Sequence, residues 1–514
     1  MPLALRLPPF ADRPRDPPEL RPSRVAQWLT EASTREPGFA ARLMSEALGA
    51  VNRVPMSHAR RLELTEQYWK SAALLWPRLE HRFIRATHPL AGDDLEAAKS
   101  ALALAIELSA AYKRLLAGEA SRRFRFGGPR RLVALVRRAF QATSRVLTNS
   151  YLTYAPVPSH TWHDAHEIYM YTRERHIHRH PVTVDQPDVT LERLYVQSLL
   201  LALANPYGFL PSQLAMVLHY LQENAQLAKL TTVPPVHRLA KAVAIVPVGH
   251  DFPPFSANKG GNTEGSKLYL LTFDLAFELQ EQIRALETGA ALPREAGSDP
   301  EGRHRYITLL RRLLRQWAIP PARQFNRLPS RAKVVMCAGL PGVWHYSRGT
   351  QHPPPDGVAP PPPMTECQVI NHTTGGYALR QIDDAPNPLR VGDLIALRVE
   401  GRDGLQVAMV RWFRNALSDA LLEFGCELLS ERPEAAAAAA EHAPEGNLLP
   451  VLVLPEESTD EPGAAPPQLA APAGAFALEQ AVSLRRGSAT GFAVLTKLVE
   501  QGPGFDLYEF VPVS

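Results

Sequence analysis

Two short segments carry residue types that could bind a planar, negatively charged ligand. Arg327 and Arg331 lie on one loop, separated by Leu-Pro-Ser, and two guanidinium groups can pair with phosphates and stack on aromatic bases. Further along the chain, Asn371 and Thr373 offer an amide and a hydroxyl on the same side of an extended strand. A glycine pair ending at Gly376 follows, and glycine permits a close approach of backbone or ligand. These residue types indicate a nucleotide site.

The elements that must position these residues are short strands separated by turns. From about residue 323 to 432 the chain consists of short strand-like runs separated by turn signals: AKVVMCAG, GVWHYS, CQVIN, GGYALRQI, DLIALRVE, LQVAMVRWFR and LLEFGCELL. Turn-forming text such as Glu400-Gly401-Arg402-Asp403-Gly404 joins them. The pattern predicts a small antiparallel β-barrel.

This region resembles a PilZ domain, the bacterial receptor module for cyclic di-GMP. That family carries an RxxxR loop followed by [D/N]xSxxG at a later strand, and the chain has the first motif at residues 327–331 and an Asn-x-Thr-x-x-Gly version of the second at 371–376. Similar text continues in VGDLIAL at 391–397, VRW at 410–412 and EFGCELL at 423–429. The order of all five segments is more specific than either motif alone.

The resemblance implies a role for each motif residue. Arg327 and Arg331 would hold the phosphates and guanines of cyclic di-GMP, Asn371 and Thr373 would bind a guanine edge, and Gly376 would keep the strand start clear. Ordering of the arginine loop would make binding a switch. The chain departs from the family pattern in having threonine instead of serine at 373, and in a proline-rich insertion at 352–363.

The whole chain is expected to be an α+β multidomain protein. It has an all-helical N-terminal domain of eight or nine helices, a PilZ-type antiparallel β-barrel and a small strand-rich C-terminal piece. The expected boundaries are a proline-rich lead-in at 1–22, the helical domain at 23–230, a mixed strand and helix connector ending in a basic amphipathic helix at 231–322, the barrel at 323–432, an Ala/Pro-rich linker with a short strand at 433–475, and the C-terminal piece at 476–514.

Composition excludes several function classes. A net charge of +4 on 514 residues is too small for a general polyanion binder. No apolar run of membrane-spanning length is present and the first twenty residues lack a signal core, so we expect a cytoplasmic protein. Cys337, Cys367 and Cys426 are too few and scattered for a disulfide framework or a zinc quartet.

Two further clusters have ordinary structural interpretations. His163 and His166 are spaced to share a metal ion on a helix, but no second ligand helix is evident, so no metal is expected. Residues 122–138 hold seven arginines, which could bind nucleic acid or protein, yet Leu132, Leu135, Val136 and Ala139 form a core stripe beside them.

The sequence therefore favours a cyclic di-GMP effector with an unidentified protein partner. It carries none of the nucleophile or metalloprotease motifs that would indicate an enzyme, and we expect no cofactor other than the ligand. The alternative is a PilZ-like scaffold or adaptor for a bacterial surface or secretion machine that binds no ligand. Nucleic-acid binding through residues 122–138 is a third, weaker possibility.

Overall fold

A computed structural model of the chain describes residues 3–11, 17–121, 128–181, 189–235, 241–257, 265–294, 300–318, 327–348, 363–383, 388–415, 422–441, 448–455 and 466–513. Residues 352–362 of the proline-rich insertion and residues 122–127 of the basic segment lie outside this part of the chain. The chain divides into two compact units, the first made of residues 1–86 and 90–322 and the second of residues 87–89 and 323–514.

The first unit begins with eight α-helices in the described residues, as the helical periodicity predicts. They are α1 (Pro22–Ser33), α2 (Pro37–Asn52), α3 (His58–Arg85), α4 (Gly92–Ala120), α5 (Gly128–Leu152), α6 (Thr161–Glu174), α7 (Leu191–Leu203) and α8 (Pro211–Asn224). Local chemistry fixes several starts: proline opens α1, α2 and α8, and Ser57 and Thr190 accept backbone N–H groups at the starts of α3 and α7. The stripe of Leu132, Leu135, Val136 and Ala139 on α5 is buried, as predicted.

A small antiparallel sheet completes the first unit together with two helices. Its strands are β1 (Lys229–Thr231), β2 (Val243–Val246), β3 (Phe255–Ser256) and β4 (Leu268–Leu271), in the order β1-β4-β2-β3. Helices α9 (Phe273–Glu287) and α10 (Pro300–Trp317) follow. Arg303 of the basic helix α10 serves the fold, because it donates at 2.8 Å to the carbonyl oxygen of Leu286 in the last turn of α9 and to that of Ala290 just after the helix.

The second unit opens with the predicted antiparallel barrel. Its strands are β5 (Leu328–Pro329), β6 (Lys333–Ala338), β7 (Thr365–Thr373), β8 (Gly376–Gln381), β9 (Leu394–Val399), β10 (Gln406–Asn415) and β11 (Leu422–Ser430). They follow the order β5-β7-β6-β9-β10-β11-β8, and an additional pairing of β7 with β8 closes the ring. Strand β5 lies outside that ring and pairs with β7 alone among the described strands.

One predicted strand of the barrel region is wrong. GVWHYS lies in helix α11 (Leu340–Ser347) instead of a strand. Gly339, at φ +83°, turns the chain, and Pro341 occupies the first helical turn, where its missing N–H costs nothing. The buried residues Leu340, Val343 and Trp344 are spaced by three and four, so a single helix face is buried.

The C-terminal part of the chain is a second closed barrel. Its strands are β12 (Glu434–Ala440), β13 (Leu449–Leu454), β14 (Gln468–Pro472), β15 (Ala481–Arg486), β16 (Ala489–Gly502) and β17 (Phe505–Val513), in the order β12-β13-β14-β17-β16-β15. The expected linker at 433–475 with one short strand is therefore corrected to three barrel strands. The alanine run forms a strand because β13 and β15 pair with it on both sides, which overrides the helical preference of alanine.

The two barrels share one buried apolar cluster. Helix α11 and strands β6, β9 and β10 contribute Cys337, Leu340, Val343, Trp344, Leu394, Ala396, Val407 and Met409, and the second barrel contributes Leu452, Leu454, Ala470, Phe505 and Leu507. Arg411 adds a polar link, since its guanidinium lies 2.5 Å from both Glu427 of β11 and Glu500 of β16. The predicted order of helical region, antiparallel barrel and strand-rich C-terminal piece is confirmed.

Candidate ligand-binding site

The short strand β5 brings the two polar motifs together. Leu328 lies opposite His372 and Pro329 opposite Asn371 in the antiparallel pairing of β5 with β7. The pairing continues through two backbone hydrogen bonds, from Ser330 N to Ile370 O at 3.3 Å and from Val369 N to Ala332 O at 3.0 Å. The loop between Arg327 and Arg331 is thus hydrogen-bonded along the strand that carries Asn371 and Thr373.

Strand alternation sorts these residues onto two faces. Asn371 pairs with Pro329 and therefore projects to the same side of the sheet, while Leu328 and His372 project to the other side. Arg327 lies two residues before Pro329, and Thr373 lies two residues after Asn371, so alternation places both on the Asn371 side.

The two arginines of the loop are available to a ligand. Both Arg327 and Arg331 are exposed, and within the described part of the chain neither guanidinium forms an ion pair. Other arginines of this barrel are engaged: Arg380 pairs with Glu423 at 2.5 Å, and Arg411 is held between two carboxylates. Exposed, unpaired guanidiniums can bind phosphate oxygens without first breaking an internal ion pair.

A tight hairpin follows Asn371. Thr373 pairs with Gly376, which leaves a two-residue turn made of Thr374 and Gly375 between β7 and β8. The Thr373 hydroxyl oxygen accepts the Gly375 N–H at 3.2 Å. Threonine in place of serine therefore keeps a hydroxyl that fixes the turn.

Gly376 is required by the neighbouring strand. Its φ is +151°, and a Cβ at this position would lie 2.1 Å from the carbonyl oxygen of Cys426 on β11. Only glycine allows β8 and β11 to approach this closely. The expected role of Gly376, keeping the strand start clear, thus acquires a structural component that the sequence did not indicate.

A row of paired residues crosses the Asn371 face of the barrel. Asn371 lies opposite Ala378, Ala378 opposite Gly425, and Gly425 opposite Trp412. The indole of Trp412 lies over Gly425, because a Cβ on that glycine would be 1.9 Å from the indole nitrogen. Sequence reasoning missed this row, and the signal that could have found it is the glycine within strand β11.

On the opposite face, a polar network connects β8 and β10 to Glu431, which lies between β11 and β12. Tyr377, paired with His372, donates its hydroxyl to Gln406 at 2.8 Å, and Gln406 donates to Glu431 at 3.1 Å. Arg402 lies 3.6 Å from Glu431 and 5.8 Å from the centre of the Tyr377 ring. Burial raises the pKa of Tyr377, so its hydroxyl stays protonated and able to donate.

Of the two histidines on α6, His163 and His166, the second has a structural role. His166 is buried, with Nδ1 2.6 Å from the Tyr195 hydroxyl and Nε2 2.9 Å from the carbonyl oxygen of Phe252. Both ring nitrogens of His166 are therefore occupied by protein groups. In the parts of the chain described above, no group of three or more His, Cys, Asp or Glu side chains could hold a metal ion. Each α-helix in the described residues is too short or too polar to span a lipid bilayer.

Comparison with known proteins places three domain families in consecutive order along the chain. The N-terminal domain of the cyclic-di-GMP receptor FimW matches residues 23–235, its middle PilZ domain matches 356–435, and its C-terminal β-barrel domain matches 435–513. The cyclic-di-GMP receptor FimW of Pseudomonas aeruginosa is 22% identical to this chain over an alignment of 480 residues. The alignment covers 80% of this chain and 77% of that protein. Asn371, Thr373 and Gly376 lie inside the matched PilZ region, whereas Arg327 and Arg331 lie upstream of it.

Proposed function

Since the chain belongs to the family defined by these three domains, a family of cyclic di-GMP receptors with a PilZ domain, we propose that it binds cyclic di-GMP on its first barrel. The proposed site is the face that carries Arg327, Arg331, Asn371, Thr373 and Gly376. The protein would act as a signalling effector and not as an enzyme.

The pairing of β5 with β7 is the observation that carries this proposal. It holds the arginine loop beside the Asn371 strand, so the donors for phosphates and the groups for a guanine edge are adjacent. Cyclic di-GMP carries two phosphates, which match two exposed guanidiniums in charge and number. Asn371 offers both a donor and an acceptor to a base edge.

The proposed output follows from the position of the loop in the chain. Arg327 and Arg331 flank β5, the first strand after the helical unit in the sequence. A ligand that binds both arginines would order their side chains and so change the contacts that the barrel and the helical domain offer to a protein partner.

Isothermal titration of the full chain with cyclic di-GMP tests the proposal. We expect saturable binding that weakens about 10- to 100-fold in Arg327→Ala and in Arg331→Ala, the loss that follows from a charge-assisted hydrogen bond of about 1.5–3 kcal/mol. Arg398→Ala is the matched control, because Arg398 is an exposed arginine on β9 of the same barrel. It should leave the affinity unchanged.

Two results would contradict the proposed site. If all three variants bound cyclic di-GMP with the affinity of the natural chain, the ligand would bind elsewhere on the chain. An absence of binding up to high micromolar ligand, repeated by equilibrium dialysis, would instead favour the alternative of a PilZ-like scaffold or adaptor for a bacterial surface or secretion machine that binds no nucleotide.

A further inference from the structure

The N-terminal segment, defined as residues 3–11, lies on the helical unit without forming a helix or a strand. Its backbone is held by side chains of the helices: Ala4 N donates to Glu167 at 3.4 Å, Arg6 N donates to Asp164 at 3.0 Å, and the carbonyl oxygen of Pro8 accepts from Arg114. These contacts occur at every second residue, which is the spacing at which an extended strand presents groups along one edge.

An aromatic anchor completes this set of contacts. The ring of Phe10 lies 4.1 Å from the guanidinium carbon of Arg114 and 6.0 Å from that of Arg61, so it rests on two cations. Arg61 is itself buried and is fixed by a hydrogen bond of 2.7 Å to the carbonyl oxygen of Val54. Phe10 remains 48% exposed.

The groove that receives the N-terminal segment is formed by Arg61, Arg114 and Asp164, and Asp164 also has a partner outside the segment. Asp164 is 1% exposed, and its second carboxylate oxygen is 2.6 Å from Lys113, whose charge it neutralises within the helical unit. Arg114 and Arg61 belong to α4 and α3, and the aspartate belongs to α6. The groups that contact the segment are therefore side chains of three different helices.

The N-terminal segment fits this groove incompletely. None of residues 3–11 is buried, although the helices beneath them are well packed. A cavity of about 210 Å³ remains between Arg6, Leu7 and Pro8 of the segment and residues of the helices. The hydroxyls of Ser109 and Thr143, 3.1 Å apart, line it. An occupant with larger side chains could fill the cavity and bury more apolar surface.

We infer that this groove is a docking site for an extended, aromatic-containing segment of a partner protein, and that the N-terminal segment occupies it as a competing internal ligand. Most of the contacts are hydrogen bonds to backbone groups, which any extended peptide offers. The two arginines favour an aromatic ring. The partner is thus a protein with an exposed extended stretch carrying Phe, Tyr or Trp. The inference does not depend on cyclic di-GMP binding.

A labelled synthetic peptide of residues 3–11, LALRLPPFA, provides the test by fluorescence anisotropy. We expect saturable binding to a chain lacking residues 1–11 that is at least tenfold tighter than binding to the full chain. A peptide with Phe10→Ala, and the truncated chain with Asp164→Asn, should each reduce the affinity at least tenfold. A sequence-scrambled peptide of the same composition controls for charge.

Hydrogen exchange on the full chain provides a second measurement that does not depend on truncation. The Arg6 amide donates to Asp164, and the Ala11 amide donates to the carbonyl oxygen of Arg53 at 2.9 Å. Both amides should exchange at least a hundredfold faster than those of the buried Leu104 and Leu108 on α4, because a displaceable segment opens locally. Exchange of these amides only together with α4 would overturn the inference. So would unfolding of the truncated chain, or a folded truncated chain that does not bind the peptide.

Discussion

The indole N–H of Trp344 donates to the carbonyl oxygen of Ala436 at 2.7 Å, so a helix that follows the first barrel's strand β6 is hydrogen-bonded to the first strand of the second barrel. Both residues are buried, and Trp344 belongs to the apolar cluster to which the two barrels contribute. The contact identifies the second barrel as part of one structural body with the first, and not as a domain on a linker.

Trp344→Phe should therefore destabilise both barrels together. The substitution keeps an aromatic ring but leaves the buried carbonyl oxygen of Ala436 without its indole donor, which costs about 1–2 kcal/mol. Tyr508→Phe is the matched comparison, since the Tyr508 hydroxyl donates to Phe476 O at 2.7 Å entirely within the second barrel.

Hydrogen exchange in increasing urea would measure the stability of each barrel in both variants. Peptides from β7–β8 report on the first barrel, and peptides from β15–β16 report on the second. We expect each substitution to shift both peptides by the same amount. A Tyr508→Phe effect confined to the second barrel would show that the barrels unfold separately.

The sequence predicted those elements whose signal is local. Strands β6 to β11 are short apolar runs bounded by turn signals, and helices α1 to α8 repeat apolar residues at helical spacing, so both were found from local sequence patterns. Helix α11 was missed because its buried positions occur in only two turns, which a short strand can mimic. Strand β12 was missed because alanine has no β preference, and its conformation depends on β13 and β15.

The candidate site was predicted as residues but not as an arrangement. Arg327, Arg331, Asn371, Thr373 and Gly376 came from motif resemblance, whereas the pairing that joins them did not. Leu328-Pro329 is too short to show alternation, and its partner strand lies far along the chain. Long-range register of this kind has no signature in a single sequence.

Gly376→Ala should destabilise the first barrel strongly. The added Cβ would lie 2.1 Å from the carbonyl oxygen of Cys426, a backbone atom that cannot move without separating β8 from β11. We expect a loss of about 3 kcal/mol or more in the free energy of unfolding. Gly401→Ala is the control, because that glycine also has a positive φ, +77°, but a Cβ added there would have no atom within 4 Å.

The free energies of unfolding of the two glycine variants would be compared by urea denaturation, with hydrogen exchange of the β8 region as the readout. The control should lose only about 1 kcal/mol, the cost of the backbone conformation alone. Equal losses would show that backbone conformation, and not the close approach of the strands, accounts for glycine at 376.

His166 should make the helical unit less stable in mild acid. Burial lowers the pKa of His166 from 6.5 to about 4, and the carbonyl oxygen of Phe252 requires a hydrogen on Nε2, so Nδ1 is the site that must stay unprotonated. As the pH falls below 6.5, His166 takes up a proton in the unfolded chain but stays neutral in the folded chain. The stabilisation from neutral His166 is complete above pH 6.5 and is lost progressively toward pH 4.

Between pH 7 and pH 5 this residue should remove about 2 kcal/mol from the free energy of unfolding. The measurement is the difference between the two pH values for the natural chain, minus the same difference for His166→Gln, which cannot titrate. A result near zero would mean that the folded unit accepts the proton, with the Tyr195 hydroxyl turning to accept a hydrogen bond from Nδ1.

Thr373 should matter through its hydroxyl and not through its methyl group. Thr373→Ser keeps the oxygen that accepts the Gly375 N–H at 3.2 Å, whereas Thr373→Val keeps the shape and removes the oxygen. The valine variant should lose about 1 kcal/mol of stability at the β7–β8 hairpin, because the Gly375 N–H loses its partner. Its affinity for cyclic di-GMP should fall at least tenfold if the same hydroxyl also contacts a guanine edge.

Titration of both variants separates these two roles of the hydroxyl. Thr373→Ser should bind within about threefold of the natural chain, since its hydroxyl can occupy the same position. If Thr373→Val loses hairpin protection in hydrogen exchange but binds the nucleotide normally, the hydroxyl serves the turn alone. The contact to the guanine edge would then fall to Asn371, whose side chain lies on the same face two residues earlier.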